Sequence, residues 1–288
     1  MKFRWVAVLA CALFVLGVAN SSGVSAASPR GRVVAGNTAV VAIDLIDFDP
    51  AVGDVHARLH LILPASMLGQ DETPAHDLTF VDEATVDESI LKLSSAEPFS
   101  YYDGFASARY QVNDPGSEFL YPFDRHETAI DFFLAQQTTR GGKNTFQRVP
   151  ITYDCSGCSF DGFKVTITDA GTTTTEVRLK VTIRRSTPII IFSVFLAVAM
   201  WAMTILVLIL AIRVSHKKKH APEVGTMGFI GGLLFAYPAI RGSQPRVPPM
   251  GVLSDYYGFF WNEFILIVAL AVVLFAWVRF PEPEEEDK

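Results

Sequence analysis

Between Ile189 and Ile212 the chain runs for 24 residues with no charge, and only Ser193 and Thr204 carry hydroxyls. A helix rises about 1.5 Å per residue, so this run crosses a hydrocarbon core of about 30 Å with room for tilt. Whatever else the chain does, this segment needs a bilayer or an equally apolar enclosure. The residues after it are RVSHKKKH, where Arg213, Lys217, Lys218 and Lys219 outnumber Arg184 and Arg185 on the other side. That bias predicts that the basic loop 214–223 is cytoplasmic and that everything before the span (186–213) lies outside.

The N-terminus points the same way. Lys2 and Arg4 precede an apolar run from Trp5 to Ala19, and Val24-Ser25-Ala26 supplies the small residues of a cleavage site. Residues 1–27 read as a signal peptide, with an uncleaved N-terminal anchor as the alternative. Two independent signals therefore give one orientation. Half of the 288 residues are hydrophobic, and they concentrate at the N-terminus and beyond residue 186. The net charge of −6 and the absence of a basic patch before residue 210 exclude a nucleic-acid partner.

Residues 28–185 read as an extracytoplasmic β-domain. In Val55–Leu63, Val55, Ala57, Leu59, Leu61 and Leu63 share one face, with His56, Arg58 and His60 on the other. That period of two marks a half-buried strand. Further strands are expected at Val40–Ile46, Ile90–Leu93, Ala106–Val112, Ala129–Leu134, Arg148–Thr152, Phe163–Thr168 and Thr175–Ile183. The stretches DPAVGD, NDPGSE, TTRGGKN, DCSGC and DAGTTT supply turn residues between them, while Glu83–Leu91 reads as a short helix or a loop. Short strands punctuated in this way predict an all-β, immunoglobulin-like antiparallel sandwich.

Two more apolar stretches follow, at 224–240 and 259–279, giving an all-α transmembrane bundle. Gly231 and Gly232 suit close helix packing there. The loop 241–258 is then extracytoplasmic and the acidic tail 280–288 cytoplasmic; a re-entrant 224–240 would send the tail outside. In the loop, Pro245, Pro248 and Pro249 fix φ and Gly251 releases it, so the connector is stiff. Tyr256, Tyr257, Phe259, Phe260 and Trp261 read as an interfacial aromatic belt or as a dock for the β-domain. Glu263 sits at the mouth of the last span, at the headgroups or paired with Arg241 or Arg246.

Candidate chemistry is sparse. Cys155 and Cys158 lie among strand and turn residues, where two nearby thiols of an exported domain close a structural disulfide; redox and metal roles are the alternatives. Asp44, Asp47, Asp49 and Asp54 have oxygen spacing that suits calcium, or are surface turn acids. His56 and His60 share a strand face, as a metal pair or an exposed polar face would. No nucleophile elbow, HExxH or phosphate-binding glycine loop occurs. The expectation is therefore no catalytic residue, no metal and no cofactor.

YPFDRHE, Tyr121–Glu127, places an acid, a base, a histidine and an acid in one run. Pro122 has no N–H to donate and belongs at a strand end. The stretch reads as a β-corner: Tyr121 and Phe123 for packing, Asp124 for the turn, Arg125 and His126 solvated or facing the membrane.

The stretch LFAYPAIRGSQPRVPPMGVLSDYYGFFWNE resembles that of actinobacterial, mycobacterial-type membrane proteins of unknown function, the domain of unknown function 4436. The resemblance extends to the exported leader, the aromatic-Pro-Phe-Asp motif and the basic cluster after the first span. It implies architecture and location, and no activity. YPFD and the junction IRRSTPIII are also similar to the β-corner and strand-to-helix junction of pentameric ligand-gated channels. Against that stand three spans instead of four, no cysteine pair around YPFD and no polar pore stripe. These readings together predict a multi-pass plasma-membrane protein with a non-enzymatic binding, scaffolding or assembly role in the cell envelope. Its partners are the lipid bilayer and a membrane-protein or cell-envelope component, and the oligomeric state is open. A subunit of a channel or transporter is the alternative.

Overall fold

The computed structural model describes residues 36–69, 72–86, 89–97, 99, 105–113, 117–140, 143–216, 223–245 and 250–279. The signal segment 1–27, Lys217, Lys218, Lys219, Arg246, Pro248, Pro249 and the tail 280–288 lie outside them. Contacts divide the chain into two units. One is Met1–Pro115 with Arg125–Pro188; the other is Gly116–Asp124 with Ile189–Lys288.

Among the described residues the first unit holds β1 (Ala39–Asp49), β2 (Asp54–Ile62), β3 (Leu78–Asp82), β4 (Ser89–Leu93) and β5 (Phe105–Gln111). It continues with β6 (Arg125–Arg140), β7 (Lys143–Arg148), β8 (Ile151–Asp154), β9 (Phe163–Asp169) and β10 (Glu176–Arg185). One sheet has the order β5-β2-β1-β8, the other β4-β3-β6-β10-β9, with β7 paired to β6. Buried residues of both sheets, including Val41, Leu59, Ile130, Phe132 and Leu179, form one hydrophobic cluster.

Among the described residues the pairing departs from the purely antiparallel expectation at one place: β8 runs parallel to β1. The expected strand Arg148–Thr152 is in fact two. Pro150, which cannot donate to a ladder, divides it, and the pieces pair differently: β7 with β6, β8 with β1. Thr138–Arg140 and Lys143–Asn144 of the expected TTRGGKN turn are strand residues, paired antiparallel between β6 and β7. In β1 the register shifts between Leu45 and Asp47. A strict period of two would aim Leu45 and Phe48 to opposite faces; the extra residue, exposed Ile46, lets both point into the core.

β3, absent from the sequence expectation, alternates correctly once Asp82 is counted with Leu78 and Phe80 as an inward position. β4 is the expected strand Ile90–Leu93, begun at Ser89 and so reaching into the stretch that also read as helix or loop.

Among the described residues the second unit has three helices long and apolar enough to cross a membrane. They are α1 (Thr187–His216), α2 (Val224–Gly242, with Pro238 inside) and α3 (Trp261–Arg279), the last continuing a π-helical turn at Asp255–Phe260. Met200, Val207 and Ala211 of α1 meet Ile230 and Tyr237 of α2 and Leu266, Ala269 and Val273 of α3 in one apolar seam. The glycine pair expected to bring helices together does not: a Cβ added to Gly231 or Gly232 meets nothing within 4 Å. Gly258 takes that part, with Ala197 Cβ 3.7 Å and Met200 Cε 3.8 Å from where its own Cβ would stand. Helix also replaces the two ends of the expected loop 241–258, since α2 runs to Gly242 and the π-helical turn starts at Asp255.

Candidate functional site

The YPFD stretch lies between β5 and β6 in sequence, yet Gly116–Asp124 belongs to the helical unit. A 3₁₀ turn at Ser117–Leu120 leads into it, the Tyr121–Pro122 peptide is cis, and Phe123 N–H donates to Leu120 O at 2.8 Å. Tyr121 is fully buried, with its hydroxyl 2.8 Å from Ser193 Oγ, and Asp124 is buried. Phe123 is the correction: it is 58% exposed. Tyr121 and Phe123 sit in a turn, where the alternation of a strand does not apply. His126 is a second correction. It is buried, with its ring edge-on to Phe48 at 4.9 Å, because β6 already begins at Arg125 and alternation aims His126 inward with Thr128 and Ile130. Arg125 stays outside and pairs with Glu127.

Near the same end, Arg241 on the last turn of α2 grips Asp255, the first residue of the π-helical turn. Nε donates to Oδ1 at 2.9 Å and Nη2 to Oδ2 at 2.8 Å, the fork geometry that suits guanidinium and carboxylate. Gly251 N–H donates to the same Oδ2 at 2.9 Å. Gly251 has φ +109°, a conformation that glycine adopts and side chains resist. The stiff loop thus ends on an ion pair. Sequence reasoning set Glu263 at the headgroups or paired with Arg241 or Arg246, and missed Asp255. The usable signal was spacing: a glycine with free φ four residues ahead of the loop's acid permits a backbone N–H to reach back to it.

Deeper in the helical unit a polar layer crosses the seam. Tyr237 OH lies 3.0 Å from Thr204 Oγ1 and donates to Met200 O at 2.9 Å. Asn262 is fully buried and its amide donates to Gly258 O. Among the described residues, Asn262 Oδ1 and Glu263 Oε1 are buried without a hydrogen-bond partner. Tyr256, Tyr257 and Trp261 are exposed, and Trp201 Nε1 donates to Tyr257 O at 2.8 Å. Pro245 is exposed, just beyond the end of α2, and Arg213 lies in the last turn of α1.

The remaining candidates separate in space. Cys155 and Cys158 are at disulfide distance, Cα atoms 5.2 Å apart, in the turn after β8. Asp44 lies 3.5 Å from His60, Asp54 3.8 Å from Arg109, and Asp49 accepts from Ala51 N–H. Among the described residues no three of His, Cys, Asp and Glu gather as metal ligands. A polar pair that sequence reasoning missed stands between the sheets: Tyr110 of β5 donates to Asp82 of β3, both fully buried. Burial raises the Asp82 carboxyl to about 6, against the opposing Tyr110 and Ala84 hydrogen bonds, and the Asp131 carboxylate adds to the rise.

Residues 29–183 match the family described as a domain of unknown function, DUF4436, over more than half of the chain. The chain belongs to this family. Residues 185–280 match a second domain of unknown function, DUF8686. The proline-rich loop motif and the helices α1, α2 and α3 fall within that second match. The DUF4436 match includes Gly116–Asp124, which by contact belongs to the helical unit. Among curated proteins, none matches the chain.

Proposed function

We propose that this DUF4436 member is a multi-pass plasma-membrane protein that holds an immunoglobulin-like β-unit outside the cytoplasm and acts by binding. Its role is to scaffold or help assemble a partner in the cell envelope. The observation that carries the reading is the Arg241–Asp255–Gly251 knot in the unit that also holds the Tyr121–Ser193 pair. The charges neutralise each other and the hydroxyls close on one another. What the site offers outward is apolar and aromatic, which suits a contact surface and gives a substrate no activated group. The basic residues after α1 support the orientation.

Cross-linking in native membranes followed by mass spectrometry is expected to join the β-unit to a defined envelope partner. A reporter active only outside the cell, fused after Lys288, is expected to stay silent; activity would overturn the three-span topology. Asp124→Ala is expected to lower stability. A variant of unchanged stability that had lost a measurable turnover would make the corner catalytic and end the binding reading.

A second reading, a channel or transporter subunit, draws on the polar layer of Thr204, Tyr237, Asn262 and Glu263, since polar groups inside a membrane span mark pathways. Ring assembly with ion conductance in liposomes would favour it. A monomer without conductance would dismiss it.

A further inference from the structure

The helical unit has an apolar groove of about 310 Å³. Pro122 and Phe123 form one wall, Val194, Ala197 and Val198 of α1 a second, and Tyr257 the third. Tyr121 and Ser193, already bonded to each other, also line it. The volume is at the lower end for ligand pockets, and a helix about 10–12 Å across would seat only side chains there. Ser254 is on the lining, and among the described residues its Oγ is buried without a hydrogen-bond partner.

The groove does not end at its own rim. Val194 and Val198 are 42% and 61% exposed. Ile205, Leu208 and Ile212, all exposed, continue their stripe along α1 at helical spacing. One uninterrupted apolar track therefore runs from the groove down the flank of a helix fit to cross a membrane. A long, flexible hydrocarbon chain matches a narrow groove that opens into such a track.

We propose that the groove binds an acyl chain of a membrane phospholipid, with the Ser254 hydroxyl donating to the ester region of the same molecule. The site selects a lipid from the bilayer and seats it against the YPFD turn. This rests on the membrane-spanning reading of the three helices.

Trp201 lines the groove, and Trp277 lies on α3 near the opposite end. The test uses the full chain in detergent, with every tryptophan but one replaced by Phe, titrated with phosphatidylcholine brominated on its acyl chains. Quenching of Trp201 is expected to saturate, while quenching of Trp277 rises without saturation. Val194→Phe, which fills the groove from an exposed position, is expected to weaken the saturable quenching about tenfold, the scale of two lost methylene contacts. Ser254→Ala is expected to weaken it less. An unchanged circular dichroism spectrum establishes that the variants fold.

Trp201 quenching that tracks Trp277, or that Val194→Phe leaves unchanged, overturns the site. Loss of quenching at both tryptophans would instead refute the membrane-spanning reading. A brominated free fatty acid that saturates Trp201 at lower concentration than the phospholipid would overturn the phospholipid assignment. So would quenching that appears only after removal of residues 1–27, which would make the chain's own N-terminus the occupant.

Discussion

Asp82 and Asp255 are both buried, at 0% and 1% exposure, one in each unit, and they are stabilised in opposite ways. Asp82 faces a neutral phenol, Tyr110, with Ala84 N–H at 3.2 Å on its other oxygen. Asp255 faces a full guanidinium in bidentate contact and a backbone N–H. A buried carboxylate costs several kcal/mol of hydration unless a counter-charge offsets it. Where no cation stands opposite, the group keeps its proton to higher pH. The β-unit thus carries a titrating latch between its sheets, and the helical unit a fixed ion pair at the end of its connector.

The largest test breaks the ion pair. Asp255→Ala takes the carboxylate from the half-buried Arg241 and leaves Gly251 N–H without this acceptor, which is expected to cost about 3 kcal/mol. Thermal melting of the full chain in detergent checks it. Arg241→Leu combined with Asp255→Leu is expected to be milder than Asp255→Ala alone; equal losses would mean that the pair holds nothing together.

The next test concerns the latch. Asp82 in the folded chain titrates near 6, above its ordinary 3.8. The folded state therefore binds more protons between these values, and stability falls as pH rises from about 4 to about 6, then stays level. The shift corresponds to roughly 3 kcal/mol. Asp82→Asn is expected to flatten this part of the profile, read as hydrogen-exchange protection of β3 and β5 amides in the full chain. A profile identical to the parent's would show that Asp82 is not the titrating group.

Tyr121→Phe removes the hydroxyl pair with Ser193. Ser193 can turn to a carbonyl of its own helix, so the loss is expected to be about 1 kcal/mol in the same melting experiment. The smallest effect is expected at the surface, where Lys180 and Arg125 hold the Glu127 carboxyl below the usual range. Lys180→Ala is expected to leave melting unchanged within error, because exposed pairs are screened by water. A clear loss there would mean that the β-unit relies on its charged face more than on the latch.

Particular residues show where sequence reasoning stopped. Val55–Leu63 was legible because each inward position is apolar; β3 was not, because its inward period ends on Asp82. The pattern records polarity, and a polar group satisfied inside looks like a surface residue. Arg148–Thr152 looked continuous because propensity does not reveal which sheet a strand joins. Arg241 stands out in the sequence, but its partner Asp255 does not, because polarity alone does not show the reach that Gly251 gives the backbone. His126 is buried because β6 begins at Arg125, four residues before the expected Ala129, while Phe123 stays exposed because it lies in the turn ahead of the strand.

By itself the sequence determined that a membrane-length helix follows a β-rich region, that two more apolar segments come after it, and that the central strands bury one face. These follow from local periodicity and run length, which each segment carries alone. Only the tertiary structure decided that Gly116–Asp124 joins the helices, that Asp255 answers Arg241 and that Tyr110 answers Asp82. Those pairings depend on which groups meet across long chain separations, where a buried charge or hydroxyl finds a partner or pays for having none.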